Sequence, residues 1–183
     1  MSNLLGAVEI REIAERIGVK PTKKLGQNFV HDANTCRKIV AAAGVSESDV
    51  ALEIGPGLGS LTLALLEKAK EAVVVEIDNR LATELPATAV RHGFAESKLT
   101  VVNEDALQVS ALPKVPTVLV ANLPYNVSVP VLIRFLELFP TINSGVVMVQ
   151  SEVADRLVAQ PNTKEYGIPS VKAAWWADVT GAG

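Results

Sequence analysis

VALEIGPGLGS occupies residues 50 to 60, a short strand-favouring run that leads into three glycines at alternate positions and then into a serine able to open a helix. Glycines spaced this way remove Cβ atoms, so the chain turns sharply and a flat ligand can lie against the main chain at the carboxyl end of a sheet. Pro56 stiffens that turn. A dinucleotide fingerprint wants glycine or alanine at the sixth position of G-x-G-x-x-G, where this chain has Ser60, which disfavours a nicotinamide enzyme. No lysine follows the glycines as in a P-loop, so the expected ligand lacks a triphosphate. Standing alone, the motif would also suit an ordinary glycine-rich turn.

Outward from it, short β-branched runs alternate with longer amphipathic segments, the pattern of an α/β fold with a doubly wound, mostly parallel sheet. The predicted strands are VALEI (50–54), VVVEI (73–77), LTVV (99–102), TVLVA (117–121), VVMV (146–149) and SVKAAWW (170–176). Helices are expected to begin near Asn34, Ser60, Asn79, Val129 and Glu152, and ahead of the first strand VEIREIAERIG (8–18) reads as an amphipathic helix ended by Gly18. Pro21 to Val30 reads as a loop. The sixth strand runs into residues 179–183 with no closing hairpin, so a fragment truncated after that strand is expected.

The other candidate site residues fall at strand ends. Glu76 ends the second strand 21 residues beyond Gly55, where a carboxylate can accept from both hydroxyls of a ribose, while Asp78 beside it suits a helix cap. Asp105, between Glu104 and Ala106 at the end of the third strand, can bond the exocyclic amine of an adenine whose face rests on apolar neighbours such as Ile77. After the fourth strand come Asn122, Leu123, Pro124 and Tyr125, at the crevice of such a sheet. The Asn122 side-chain oxygen and the Leu123 carbonyl can accept from an amine, Pro124 fixes the turn, and Tyr125 offers a stacking face. Asn-x-Pro-x is also a common turn signal. Neither His31, read as a phosphate or surface contact, nor His92, read as lying in a polar loop, is expected to act as a general base.

With 49% hydrophobic and 20% charged residues in 183, the chain is sized for one ordinary globular domain. Charges at Glu9, Arg11, Glu12, Glu15 and Arg16 interrupt the stretch where a signal peptide needs an apolar core, and no segment reaches transmembrane length, so a cytoplasmic protein is expected. A lone cysteine, Cys36, forms no internal disulfide and reads as a small buried apolar residue. The net charge of −3 argues against nucleic acid, but between Arg11 and Lys38 seven basic residues face three acids. That arm is a candidate phosphate-facing edge, with Lys23, Lys24, Arg37 and Lys38 as candidate RNA contacts; the same charges also suit a solvated helix and loop.

KKLGQNFV (23–30), EIGPGLGSLT (53–62), VVEID (74–78), EDAL (104–107), NLPYNVS (122–128) and VQSEVADRL (149–157) together resemble the ribosomal RNA adenine dimethyltransferase family, in family order and over nearly the whole chain. NLPYN is more similar to the housekeeping branch, which dimethylates two adjacent adenosines near the 3′ end of small-subunit RNA, than to the antibiotic-resistance branch acting on large-subunit RNA. The resemblance implies a Rossmann-like class I methyltransferase fold and S-adenosyl-L-methionine as methyl donor. Gln27, Asn28 and Val30 would cover its methionine end, Gly55 and Gly57 would line it, Glu76 would hold the ribose, Asp105, with Ile77 and Ala106 beside it, the adenine, and Asn122 would sit between donor and target. It also implies a small-subunit ribosomal RNA or pre-30S partner, and a monomer acting without metal or membrane. Residues 1–33 would be an N-terminal helix and cofactor-covering loop, forming one unit with a methyltransferase domain over 34–183, and the family's C-terminal helical domain is expected to be absent. A methyltransferase for small molecules or proteins shares the glycine turn, and a non-catalytic ribosome-assembly module would share the pocket.

Overall fold

The computed structural model describes residues 4–19, 32–123 and 127–182. Among them, five strands form one sheet: β1 Val50–Ile54, β2 Glu71–Val75, β3 Leu99–Val102, β4 Val118–Asn122 and β5 Ser144–Met148. Their order is β3-β2-β1-β4-β5, and every neighbouring pair is parallel. The chain thus builds outward from β1 to β3 and then crosses back to β4. Such a reversal opens a crevice beyond the carboxyl ends of β1 and β4.

Among the described residues seven α-helices cover the sheet: α1 Ala7–Arg16, α2 Ala33–Ala42, α3 Ser60–Lys68, α4 Asn79–Arg91, α5 Ser128–Leu138, α6 Ser151–Val158 and α7 Ile168–Trp176. Successive strand residues point to opposite faces, so each strand feeds two cores. Ala51, Val118 and Val120 join Ile10, Ile13, Cys36, Val40, Leu65 and Leu81 in one apolar cluster built with α1 to α4. Leu52, Ile54, Leu119 and Ala121 join Leu132, Phe135, Val153, Leu157 and Ala173 of α5 to α7 in the other. Local signals set the helix ends. Asp32 accepts from the amide of Thr35 at 2.7 Å and starts α2, Asp78 accepts from that of Arg80 at 2.9 Å and starts α4, and Gly18 closes α1 at φ +67°. Cys36 is buried, as its sequence context implied, and burial pushes its thiol up to about 11.

Four sequence expectations are corrected. SVKAAWW is helical, within α7, so the described residues hold five strands and no sixth. Pro169 lies in the first turn of that helix, the Ser170 hydroxyl accepts from the amide of Gly167 and donates to the carbonyl of Arg156, and Ser170 and Ala173 are buried while Val171, Trp175 and Trp176 face out. Burial three residues apart is a helical face; an apolar, β-branched composition had suggested a strand. Strand β2 ends at Val75, placing Glu76 just beyond it, and β5 begins at Ser144 with Gly145 inside it. A Cβ on Gly145 would stand 2.4 Å from the Leu119 carbonyl oxygen, so only glycine lets β5 approach β4 this closely. Finally, His92 is the C-terminal cap of α4, with Nε2 3.0 Å from Glu9 Oε1 and a largely buried side chain, where a polar loop was expected.

Candidate active site

The turn after β1 is held to β2 by the Gly55 amide, which donates to the Val75 carbonyl at 2.9 Å. Gly55 and Gly57 adopt φ of +70° and +58°, which L side chains rarely tolerate. Beneath the turn lies Glu76. Its Oε2 accepts from the amide of Gly57 at 3.1 Å and its Oε1 from that of Asp78 at 2.9 Å. The side chain is buried, and burial raises its pKa although both amides favour the charged form. Each carboxylate oxygen has a second lone pair, so Glu76 can still accept a pair of hydroxyls.

A second carboxyl sits alongside. Glu53, in β1, is 2% exposed and its Oε2 accepts from the Thr62 hydroxyl of α3 at 2.6 Å. Burial pushes it up to about 8, with the neighbouring Glu76 charge adding to the rise and the Thr62 bond opposing it. Glu53 is therefore mostly neutral at pH 7. It was not a sequence candidate, although an acid within an otherwise apolar strand was the available signal.

Ile77 follows Glu76 and is 64% exposed, an apolar face left open to solvent. Asn103, also missed from sequence, donates through Nδ2 to the carbonyls of Glu76 and Ile77 at 2.7 and 3.3 Å and so pins that strand end. Asp105 turns the chain after β3, its Oδ1 accepting from the Leu107 amide at 2.9 Å. Ala106 is half-buried and packs against the α5–α7 cluster.

On the other side of the crevice Asn122 closes β4 opposite Met148, and the Leu123 amide donates to the Met148 carbonyl at 3.0 Å. The Leu123 side chain is buried. A Cβ on Gly55 would stand 3.9 Å from the Asn122 carbonyl oxygen, so the glycine turn and Asn122 are neighbours across the reversal between β1 and β4. Pro124 and Tyr125 lie outside the described residues, as do the Pro21–Val30 loop, Lys23, Lys24, Gln27, Asn28, Val30 and His31.

The basic segment is partly neutralised by the protein itself. Arg37, a candidate RNA contact, makes a two-pronged pair with Glu67 of α3 at 2.9 and 2.8 Å, and Arg16 does the same with Glu84 of α4 at 2.9 and 2.7 Å. Arg11 and Lys38 are exposed. Among the described residues no group of three or more His, Cys, Asp and Glu could hold a metal ion, and no helix is long and apolar enough to cross a membrane.

A parallel sheet ordered 3-2-1-4-5, with a glycine turn after β1 and a buried carboxylate after β2, defines the Rossmann-like fold of class I methyltransferases. Within that class the chain belongs to the ribosomal RNA adenine dimethylase family, whose model matches residues 18–181. It is 60% identical over 185 residues to ribosomal RNA small subunit methyltransferase A of Corynebacterium glutamicum (strain R), an alignment covering 100% of this chain and 63% of that relative. Among solved structures, the crystal structure of a dimethyladenosine transferase from Plasmodium falciparum superposes with a TM-score of 0.68 at 32% identity, covering 77% of this chain and 50% of that one. The crystal structure of the 23S rRNA methyltransferase ErmE gives 0.62 at 30% identity, covering 72% and 51%. The chain thus spans less than two thirds of the length of these curated relatives.

Proposed function

We propose that this chain forms the donor-binding and target-facing part of a cytoplasmic, monomeric enzyme that dimethylates the N6 amines of two adjacent adenosines near the 3′ end of small-subunit ribosomal RNA, on the pre-30S particle. The observation that carries the reading is the adjacency of Asn122 to the Gly55 turn, with Glu76 held by two amides on the donor side. The residues present fit S-adenosyl-L-methionine. Glu76 retains acceptor capacity for ribose hydroxyls, the exposed face of Ile77 suits a flat base, and Gly55 and Gly57 allow close approach to the main chain. When bound, the donor supplies a methyl group already activated on a sulfonium.

The remaining work is positioning. In this reading Asp105, beside Ala106, takes the exocyclic amine of the donor's adenine, and Gln27, Asn28 and Val30 cover its methionine end. An adenine amine is a weak nucleophile because its lone pair is delocalised into the ring. The Asn122 side-chain oxygen and the Leu123 carbonyl accept its hydrogens, favour a pyramidal nitrogen and stabilise the charge that develops there. Pro124 fixes the turn, Tyr125 stacks on the unpaired base, and Lys23, Lys24 and Lys38 meet phosphates, Arg37 being held by Glu67. No histidine base takes part. The 60% identity to a small-subunit enzyme, against 30% to the 23S enzyme, favours the small-subunit substrate.

The test is transfer of labelled methyl groups from S-adenosyl-L-methionine to undermodified small ribosomal subunits, comparing this chain with Asn122→Ala and digesting the RNA to nucleosides. Labelled dimethyladenosine from the parent, lost in the variant, is expected. Donor binding without any labelled adenosine from the parent would sink the catalytic reading of this chain.

A further inference from the structure

Three ties fasten α1 to α4, and they run along α4 from its last turn to its first. Glu9 meets His92 at 3.0 Å, Arg16 meets Glu84, which also takes Arg91 at 2.8 Å, and Arg80 Nη1 donates to the Gly18 carbonyl at 2.8 Å. Only the third continues into the donor pocket. Arg80 also grips Asp78 with two donors, Nε to Oδ1 at 3.0 Å and Nη2 to Oδ2 at 2.6 Å. The Asp78 amide donates to Glu76, whose other oxygen holds Gly57. A continuous set of hydrogen bonds therefore joins the carbonyl that ends α1 to the carboxylate under the glycine turn.

We infer that Arg80 is a positioning residue for donor binding: from its anchor on the Gly18 carbonyl it holds Asp78, whose amide fixes the Glu76 carboxylate beneath the glycine turn. The inference rests on the reading of Glu76 as a donor contact. Stability is a poor explanation for the arrangement. Arg80 is about half exposed, and an exposed ion pair adds little to folding. What the guanidinium supplies is direction, because its planar fork fixes three donors at once, two on Asp78 and one on Gly18. Gly18 is in the left-handed conformation and Val19 behind it is buried, so the anchored carbonyl belongs to a defined piece of backbone.

The experiment is titration calorimetry of S-adenosyl-L-homocysteine on the whole chain, with melting temperatures recorded for Arg80→Ala, Arg80→Lys and Glu84→Gln. Arg80→Ala is expected to weaken binding about five- to tenfold through the misplaced Glu76 carboxylate. Arg80→Lys, which keeps the charge and loses the fork, stays weakened. Glu84→Gln, which cuts the neighbouring tie farther from the pocket, lowers the melting temperature and leaves affinity unchanged. Parental affinity in Arg80→Ala, full rescue by lysine, or equal weakening in Arg80→Ala and Glu84→Gln would each overturn the positioning role. A parent chain that fails to bind the probe would instead overturn the donor reading, and this role with it.

Discussion

Thr62 donates its hydroxyl hydrogen to Glu53 Oε2 across 2.6 Å, in a place where both side chains are buried. One hydrogen bond does not offset the loss of water around a carboxylate, and Glu53 titrates near 8, well above the 4.5 of an open glutamate. The folded chain therefore binds this proton more tightly than the unfolded chain. Its stabilising contribution is complete below about pH 4.5 and fades as the pH rises through about 8. Glu53→Gln should remove that part of the slope, so its melting temperature gains on the parent between about pH 5 and about pH 8. Parallel curves for the two proteins would refute a neutral Glu53.

Glu84 carries the opposite sign. Bonds from Arg16, first, and Arg91 hold its carboxyl down at about 2 against partial burial. The stability it contributes is present above the ordinary carboxylate range and lost as the pH falls through about 2. Parent and Glu84→Gln should differ in melting temperature at pH 7, and their curves should converge in strong acid. A gap that persists at about pH 2 would mean that packing, not ionisation, makes the difference.

Glu76→Gln replaces one carboxylate oxygen with the donor NH2 of a carboxamide, so either the Gly57 or the Asp78 amide loses its acceptor. Affinity for S-adenosyl-L-homocysteine should fall at least about tenfold, since a ribose hydroxyl loses a bond to a charged acceptor, worth ~1.5–3 kcal/mol. Calorimetry measures this directly, and unchanged affinity would remove Glu76 from the donor site.

Gly145→Ala places a methyl 2.4 Å from the Leu119 carbonyl oxygen, too close for contact, and backbone atoms cannot swing away as a flexible side chain would. Forced separation of β4 and β5 should cost ~2–3 kcal/mol, read from urea unfolding. A variant as stable as the parent would show that the two strands have room to spare.

The five paired strands were legible because their signals are local: β-branched runs broken by turns, and glycines where the first strand becomes a helix. The same holds for Asp78 as a helix cap and for the place of Glu76, whose distance from Gly55 follows from one helix and one strand. Properties created by distant segments were not legible. Arg37 looks like a free cation until Glu67 arrives from the next helix, and Glu53 looks like an ordinary acid until Thr62 and Glu76 enclose it. Asn103 acts on carbonyls 26 and 27 residues away. In α7, exposed apolar side chains such as Trp175 obscured the helical face formed by Ser170 and Ala173.

The two apolar clusters take alternate residues of the strands and lie on opposite faces of the sheet, so the molecule is built as two layers sharing one spine. Layers of this kind open as separate cooperative units, and amides of α5 to α7 should exchange with solvent in a different group from those of α2 and α3. Asn122 and Leu123 stand on the seam, with the glycine turn on one side and Met148 on the other. Opening of the α5–α7 layer would shift Leu123, which is packed in it, more than Glu53 and Glu76, so the two banks of the crevice need not move together.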